Sequence, residues 1–139
     1  MARRDAGATS LRGVHALLVC DDVERCALFA QALKYAGALI TTCTSADEAR
    51  SVMERLRANV IVVELRAADE RKRFIAGVRE LSIESGGSIP ALALTRSHDD
   101  GDALLAAGFQ LHATMPLRAV ELCSVVATLA RQPAAWPRL

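Results

Sequence analysis

The 139-residue chain contains no apolar run approaching the ~20 residues of a membrane span, and its opening Met1 to Gly13 has no apolar core for a signal peptide. Its 17 basic and 16 acidic residues leave a net charge of +1, so a broad electrostatic footprint for nucleic acid is missing. There is no C-x-x-C pair. Cys20, Cys26, Cys43 and Cys123 lie far apart, three of them in apolar stretches where cysteine behaves as a small hydrophobe, which predicts buried reduced thiols. No glycine-rich loop is present to cradle a nucleotide or flavin phosphate, and no helix-turn-helix unit follows the final helix. These absences predict a cytoplasmic domain that binds neither membrane nor DNA.

What the chain does have is apolar: 52% of its residues are hydrophobic, and a length of 139 suits one domain with its own core. The reading centres on Asn59 to Arg66, N-V-I-V-V-E-L-R. Four β-branched residues without polar alternation predict a strand covered on both faces, as in a parallel sheet. The run ends in a carboxylate, Glu64, at the strand tip, where open α/β sheets place their sites.

Similar signals recur along the chain. His15 to Cys20 reads as a first strand that stops at Asp21 and Asp22, and Val23 to Ala36 as a helix ended by Gly37. Leu39 to Cys43 suits a second strand, and Ser45-Ala-Asp-Glu48 is a capping-box sequence opening the next helix. Ala67 to Arg73 reads as a charged connection and Phe74 to Ile83 as a helix. Ile89 to Leu94 is a fourth strand with Thr95 at its tip, His98 to Ala107 a short helix, and Phe109 to Thr114 a fifth strand. The last helix runs from Leu117 to about Arg131. Residues 1–13 and 132–139 read as tails around a domain at 14–131. Alternating strand and helix signals predict a doubly wound α/β layer with five parallel strands, whose carboxyl ends carry Asp21, Asp22, Glu64, Thr95 and Thr114 in one acidic pocket.

The stretches L-L-V-C-D-D at Leu17 to Asp22, V-I-V-V-E-L-R at Val60 to Arg66, P-A-L-A-L-T at Pro90 to Thr95, and M-P at Met115 and Pro116 occur in that order. With this series the sequence resembles the receiver domain of two-component response regulators over roughly Val14 to Arg131. The resemblance implies strand order 2-1-3-4-5. It also implies that Asp21 and Asp22 match a magnesium-holding acidic pair, Thr95 a switch hydroxyl, and Pro116 a proline preceded by a cis bond. His112 falls at the switch aromatic. Two positions depart from the family: Glu64 stands where the phospho-accepting aspartate belongs, and Met115 where a lysine belongs.

Those departures bear on chemistry. An acceptor oxygen must lie in line with phosphorus while cations stabilise the equatorial oxygens, and a displacement of about 1 Å can cost on the order of a hundredfold in rate. Glu64 moves the carboxylate one methylene outward and Met115 removes a cation. Three converging carboxylates also repel, by about 3 kcal/mol per pair at ~5 Å and an effective dielectric constant near 20. Magnesium on Asp21, Asp22 and Glu64, a raised carboxyl pKa, or a guanidinium from Arg66 or Arg96 would each relieve this.

The leading expectation is a non-enzymatic, phosphorylation-independent signalling module. It would bind a histidine kinase, another receiver or an output domain, and form a homodimer through the apolar surplus of the last helix: Val120, Leu122, Cys123, Val125, Val126 and Leu129. The alternatives are a phosphorylatable receiver with unusual acceptor chemistry, tested by acetyl phosphate, and a flavodoxin-like domain binding a small molecule at the acidic edge.

Overall fold

The computed structural model describes residues 9–96 and 101–131. The chain alternates β1 (His15–Cys20), α1 (Val23–Tyr35), β2 (Leu39–Cys43), α2 (Ala46–Met53), β3 (Val60–Glu64), α3 (Ala68–Arg79), β4 (Ala91–Thr95), α4 (Gly101–Ala107), β5 (Leu111–Thr114) and α5 (Ala119–Ala130). The strands form one five-stranded sheet in the order β2-β1-β3-β4-β5, with every neighbouring pair parallel. This is the doubly wound sheet with the strand order expected from the sequence.

Between their polar ends, His15, Glu64 and Thr95, the three inner strands carry apolar residues at every position because each face has a helical layer to cover. Ala16, Leu18, Val60, Val62, Leu92 and Leu94 pack with Leu33 of α1 and Leu122 and Val126 of α5. The alternate set, Leu17, Val19, Ile61, Val63, Ala91 and Ala93, packs with Met53 of α2, Phe74 and Val78 of α3 and Leu104 of α4. A strand side chain's parity therefore decides which helices it meets.

Local chemistry starts and stops the helices. Ser45 Oγ accepts from the Glu48 N–H at 3.1 Å at the head of α2, while Glu48 Oε1 accepts from the Thr44 N–H at 2.8 Å rather than from the cap residue itself. Gly108 follows α4 at φ 131°, and a Cβ there would come within 3.0 Å of Arg79 Cγ. Gly87, in the turn before β4, has no room for a side chain, since a Cβ would lie 1.9 Å from the Leu81 carbonyl oxygen.

Several bounds differ from expectation: the fourth strand starts at Ala91 and takes in Thr95, and the last helix starts at Ala119, each beginning two residues later than read. The third helix begins at Ala68, inside the stretch read as a charged connection, and ends at Arg79, before Ile83. Its first turn carries Asp69 and Glu70, which suit the positive end of the helix dipole, and Arg71 is buried at 5% exposure with Nη1 donating to the Leu65 carbonyl at 2.6 Å. The ladder of β5 starts at Leu111, with Phe109 buried ahead of it. Within the stretch read as an N-terminal tail, Leu11 is wholly buried in the α1–α5 layer, its N–H donating to the Ala36 carbonyl at 2.7 Å. The start of the helix placed at His98 and the tails at 1–8 and 132–139 lie outside the described residues. None of the helices among the described residues is long and apolar enough to cross a membrane.

Candidate functional site

Asp21 and Asp22 follow β1, and Glu64, Thr95 and Thr114 are the last residues of β3, β4 and β5, so all five stand at the carboxyl edge of the sheet. Parity then separates them. Glu64 is registered against Cys20, on the face that α1 and α5 cover. Thr95 has the parity of Ala93 and faces the α2–α4 layer.

Under α1, Glu64 is only 7% exposed. Its Oε1 accepts from Cys20 Sγ at 2.9 Å and its Oε2 accepts from Arg25 Nη1 at 2.5 Å. Arg25 lies in the first turn of α1, where Asp22 is the N-cap and accepts from the Arg25 N–H at 3.0 Å. The guanidinium also reaches Asp22 Oδ2 at 3.4 Å. Asp21 Oδ2 accepts from the backbone N–H of Arg66 at 2.9 Å. Each acid thus already has a protein donor.

The direct ion pairs that clamp Glu64 and Asp22 are made by Arg25, and not by Arg66 or Arg96, the two arginines selected by sequence proximity. Arg66 donates its backbone N–H to Asp21 and helps lower Asp22 through its charge, and both it and Arg96 are exposed at the strand ends. Arg25 was absent from the sequence reading, and Cys20 was read only as a buried thiol at the end of the first strand. Their signals were the i,i+3 spacing of Asp22 and Arg25, and the alignment of the two strand ends.

The titrations follow from these contacts. The Arg25 N–H at the N-cap, helped by its guanidinium, holds the Asp22 carboxyl below its usual range. Burial, reinforced by the hydrogen bond to Glu64, pushes the Cys20 thiol well up. Burial likewise raises Cys26 and Cys123, and takes Cys43 up to about 11. All four cysteines are free and buried, as expected, and thiols of this kind are poor nucleophiles. Since Asp22 is depressed in the folded state, its contribution is present above the ordinary carboxyl pKa of 3.8 and is lost as pH falls through the folded value. The melting-temperature gap between wild type and Asp22→Ala should therefore narrow between about pH 5 and pH 3.

Magnesium does not fit this donor set. Both oxygens of Glu64 and of Asp22, and one oxygen of Asp21, are engaged by backbone N–H groups, a thiol and a guanidinium. Among the described residues no group of three or more His, Cys, Asp or Glu side chains is placed to hold a metal ion.

On the opposite face, Thr95 is 4% exposed and its hydroxyl is hydrogen-bonded to His112 Nε2 at 2.7 Å. The two switch positions therefore meet directly. The Met115 N–H donates to the Thr95 carbonyl at 2.7 Å, and the Met115–Pro116 peptide is cis. The Met115 side chain packs on the α1–α5 core.

The sheet order is that of the response-regulator receiver fold. The receiver domain of a sensor histidine kinase from Pseudomonas aeruginosa, solved with magnesium coordinated in its active-site cleft, superposes with a TM-score of 0.77. It is 24% identical, with 86% of this chain and 99% of that one covered. Chemotaxis response regulator CheY4 of Vibrio cholerae gives a TM-score of 0.76 at 19% identity over 84% of this chain and 98% of its own. No family model matches the sequence. The chain belongs to the same family as an uncharacterized 14.6 kDa protein in the sodA1 3′ region of Leptolyngbya boryana. The two are 35% identical over 114 residues, 79% of this chain and 85% of that protein.

Proposed function

We propose that this chain is a receiver-fold interaction module of two-component signal transduction that works without phosphorylation of Glu64. The observation that carries the reading is the occupation of both Glu64 oxygens, one by Cys20 and the other by Arg25. An acceptor must present a free oxygen in line with phosphorus and draw on cations that stabilise the equatorial oxygens. Here the carboxylate is already paired, and Met115 contributes no charge. The internal ion pair takes the role that a divalent ion plays beside a receiver's acids, so the domain rests in one electrostatic state.

Its partners are signalling proteins: a histidine kinase, another receiver or an output domain. A groove of about 780 Å³ between α1 and α5 offers a contact surface. Leu28, Tyr35 and Val120 line it at 66%, 96% and 43% exposure, and its lining contains no charged residue. The homodimer expected from α5 has less support. Leu122, Cys123, Val126 and Leu129 are consumed by the chain's own core, leaving Val120 as the exposed member.

Incubation with acetyl phosphate and magnesium chloride is the test. Intact-mass measurement should show no addition of a phosphoryl group, and magnesium alone should leave the melting temperature unchanged. A magnesium-dependent adduct that disappears in Glu64→Gln would overturn the proposal in favour of unusual acceptor chemistry.

A further inference from the structure

Away from the carboxyl edge, the last turns of α2 and α3 enclose a hollow of about 340 Å³. Its floor is apolar: Met53 and Val78 are buried, and Leu81 borders them at 40% exposure. Gly77 leaves the α3 wall bare, and a side chain there would grow toward Arg50, whose Nε lies 3.5 Å from the position of a Cβ. Three charged residues complete the lining. Arg57 belongs to the frame, since it donates to the carbonyls of Met53, Leu56 and Glu84 and sets its charge against the C-terminal end of α2. Arg50 and Glu54 stand one turn apart, a spacing at which opposite charges on a helix can meet. They do not meet: Arg50 pairs with Asp47 at 3.3 Å, and Glu54 forms no ion pair among the described residues.

We infer that this hollow binds a free α-amino acid with an apolar side chain. The ligand's carboxylate lies on the Arg50 guanidinium, its ammonium on the Glu54 carboxylate, and its side chain on Met53, Val78 and Leu81. A guanidinium meets a carboxylate through two parallel N–H bonds. The Asp47 side chain that holds Arg50 is 95% exposed, and so open a pair is weak enough to yield to the ligand. A plain carboxylate would leave Glu54 without a counter-charge, and a plain amine would leave Arg50 without one. The volume is at the lower end of the roughly 300–1,000 Å³ range of ligand pockets, which suits a molecule of this size. No residue of the Glu64 cluster takes part, so the inference can fail while the signalling role survives, and the reverse.

The test titrates the whole chain with L-leucine and L-phenylalanine and follows amide resonances and the melting temperature. At least one of them should give a saturable shift centred on Met53, Gly77 and Val78, with a raised melting temperature. For leucine, the analogues 4-methylpentanoate, which lacks the amino group, and 3-methylbutylamine, which lacks the carboxylate, should each bind at least about tenfold more weakly. Arg50→Gln and Glu54→Gln should each weaken amino-acid binding on the order of tenfold, the size expected for one charged hydrogen-bonding partner. Both side chains are exposed, and unchanged melting without ligand checks that the variants fold. Gly77→Leu should abolish binding by filling the hollow, while leucine's better helix propensity keeps α3 formed. No saturable response to either amino acid, or an unaltered response in Gly77→Leu or in the Arg50→Gln, Glu54→Gln double variant, would overturn the site. Binding of 4-methylpentanoate as tight as that of leucine would overturn its assignment to an amino acid.

Discussion

Arg25→Ala should lower the melting temperature by about 8 °C, at roughly 4 °C per kcal/mol for a domain of this size. The substitution removes the partner of Glu64 and leaves a charged group, 7% exposed, with the Cys20 thiol as its remaining donor. Breaking a buried ion pair from one side costs about 3–5 kcal/mol. Arg25 is itself 24% exposed, so the lower figure of about 2 kcal/mol is appropriate after discounting for solvent screening. The diagnostic comparison is a double-mutant cycle with Glu64→Gln. If the cost arises from an abandoned carboxylate, Arg25→Ala should be much milder when position 64 is neutral. Equal costs in both backgrounds would mean that Arg25 stabilises α1 by packing, and the clamp would have to be abandoned.

The second large effect concerns phosphotransfer. The triple substitution Arg25→Ala, Glu64→Asp and Met115→Lys should take a phosphoryl group from acetyl phosphate, releasing acetate and forming an aspartyl phosphate, in a magnesium-dependent reaction. Each change has a separate physical task. Aspartate withdraws the oxygen by one methylene, and a correction of about 1 Å is worth on the order of a hundredfold in rate. Lysine restores a cation for the transferring oxygens, and loss of Arg25 frees the carboxylate for a metal ion. The double substitution that keeps Arg25 should label at least tenfold more slowly than the triple, because the guanidinium competes with the ion for the same oxygens. Labelling of the double as fast as the triple would show that Arg25 is no barrier. An unlabelled triple would show that the cleft has lost its reactive shape for some other reason.

Much of this architecture was legible in the residues, for reasons that also explain the misses. β2 and β3 were read to the residue or nearly so, because β-branched runs end abruptly at polar groups. α3 was read six residues late, because Ala68 to Arg73 shows no apolar stripe and its apolar row starts at Phe74. The helical signal there is electrostatic, from Asp69 and Glu70, and Arg71 is buried through its hydrogen bonds to carbonyls instead of through hydrophobicity. At the site, Asp21, Asp22, Glu64 and Thr95 were visible since strand tips are punctuated by polar residues. Arg25 and Cys20 were not, because recognising them requires the Cys20–Glu64 register and the rotational phase of α1, both set by tertiary packing. Proximity along the chain pointed instead to Arg66 and Arg96, which are exposed at the strand ends.

At the opposite edge of the sheet, Arg79 donates to the carbonyls of Gly108, Gly87 and Ile89 and to Gln110 Oε1, while Gln110 Oε1 also receives the Ala91 N–H. Asn59 Oδ1 accepts from the His15 N–H at 2.6 Å in the same way. These side chains rivet the strand entrances in two pairs, β1 to β3 through Asn59 and β4 to β5 through Gln110 and Arg79, the second pair also to the last turn of α3. The carboxyl rim has no share in those rivets, so substitutions at Glu64, Thr95 or Met115 leave the ties of the opposite rim in place.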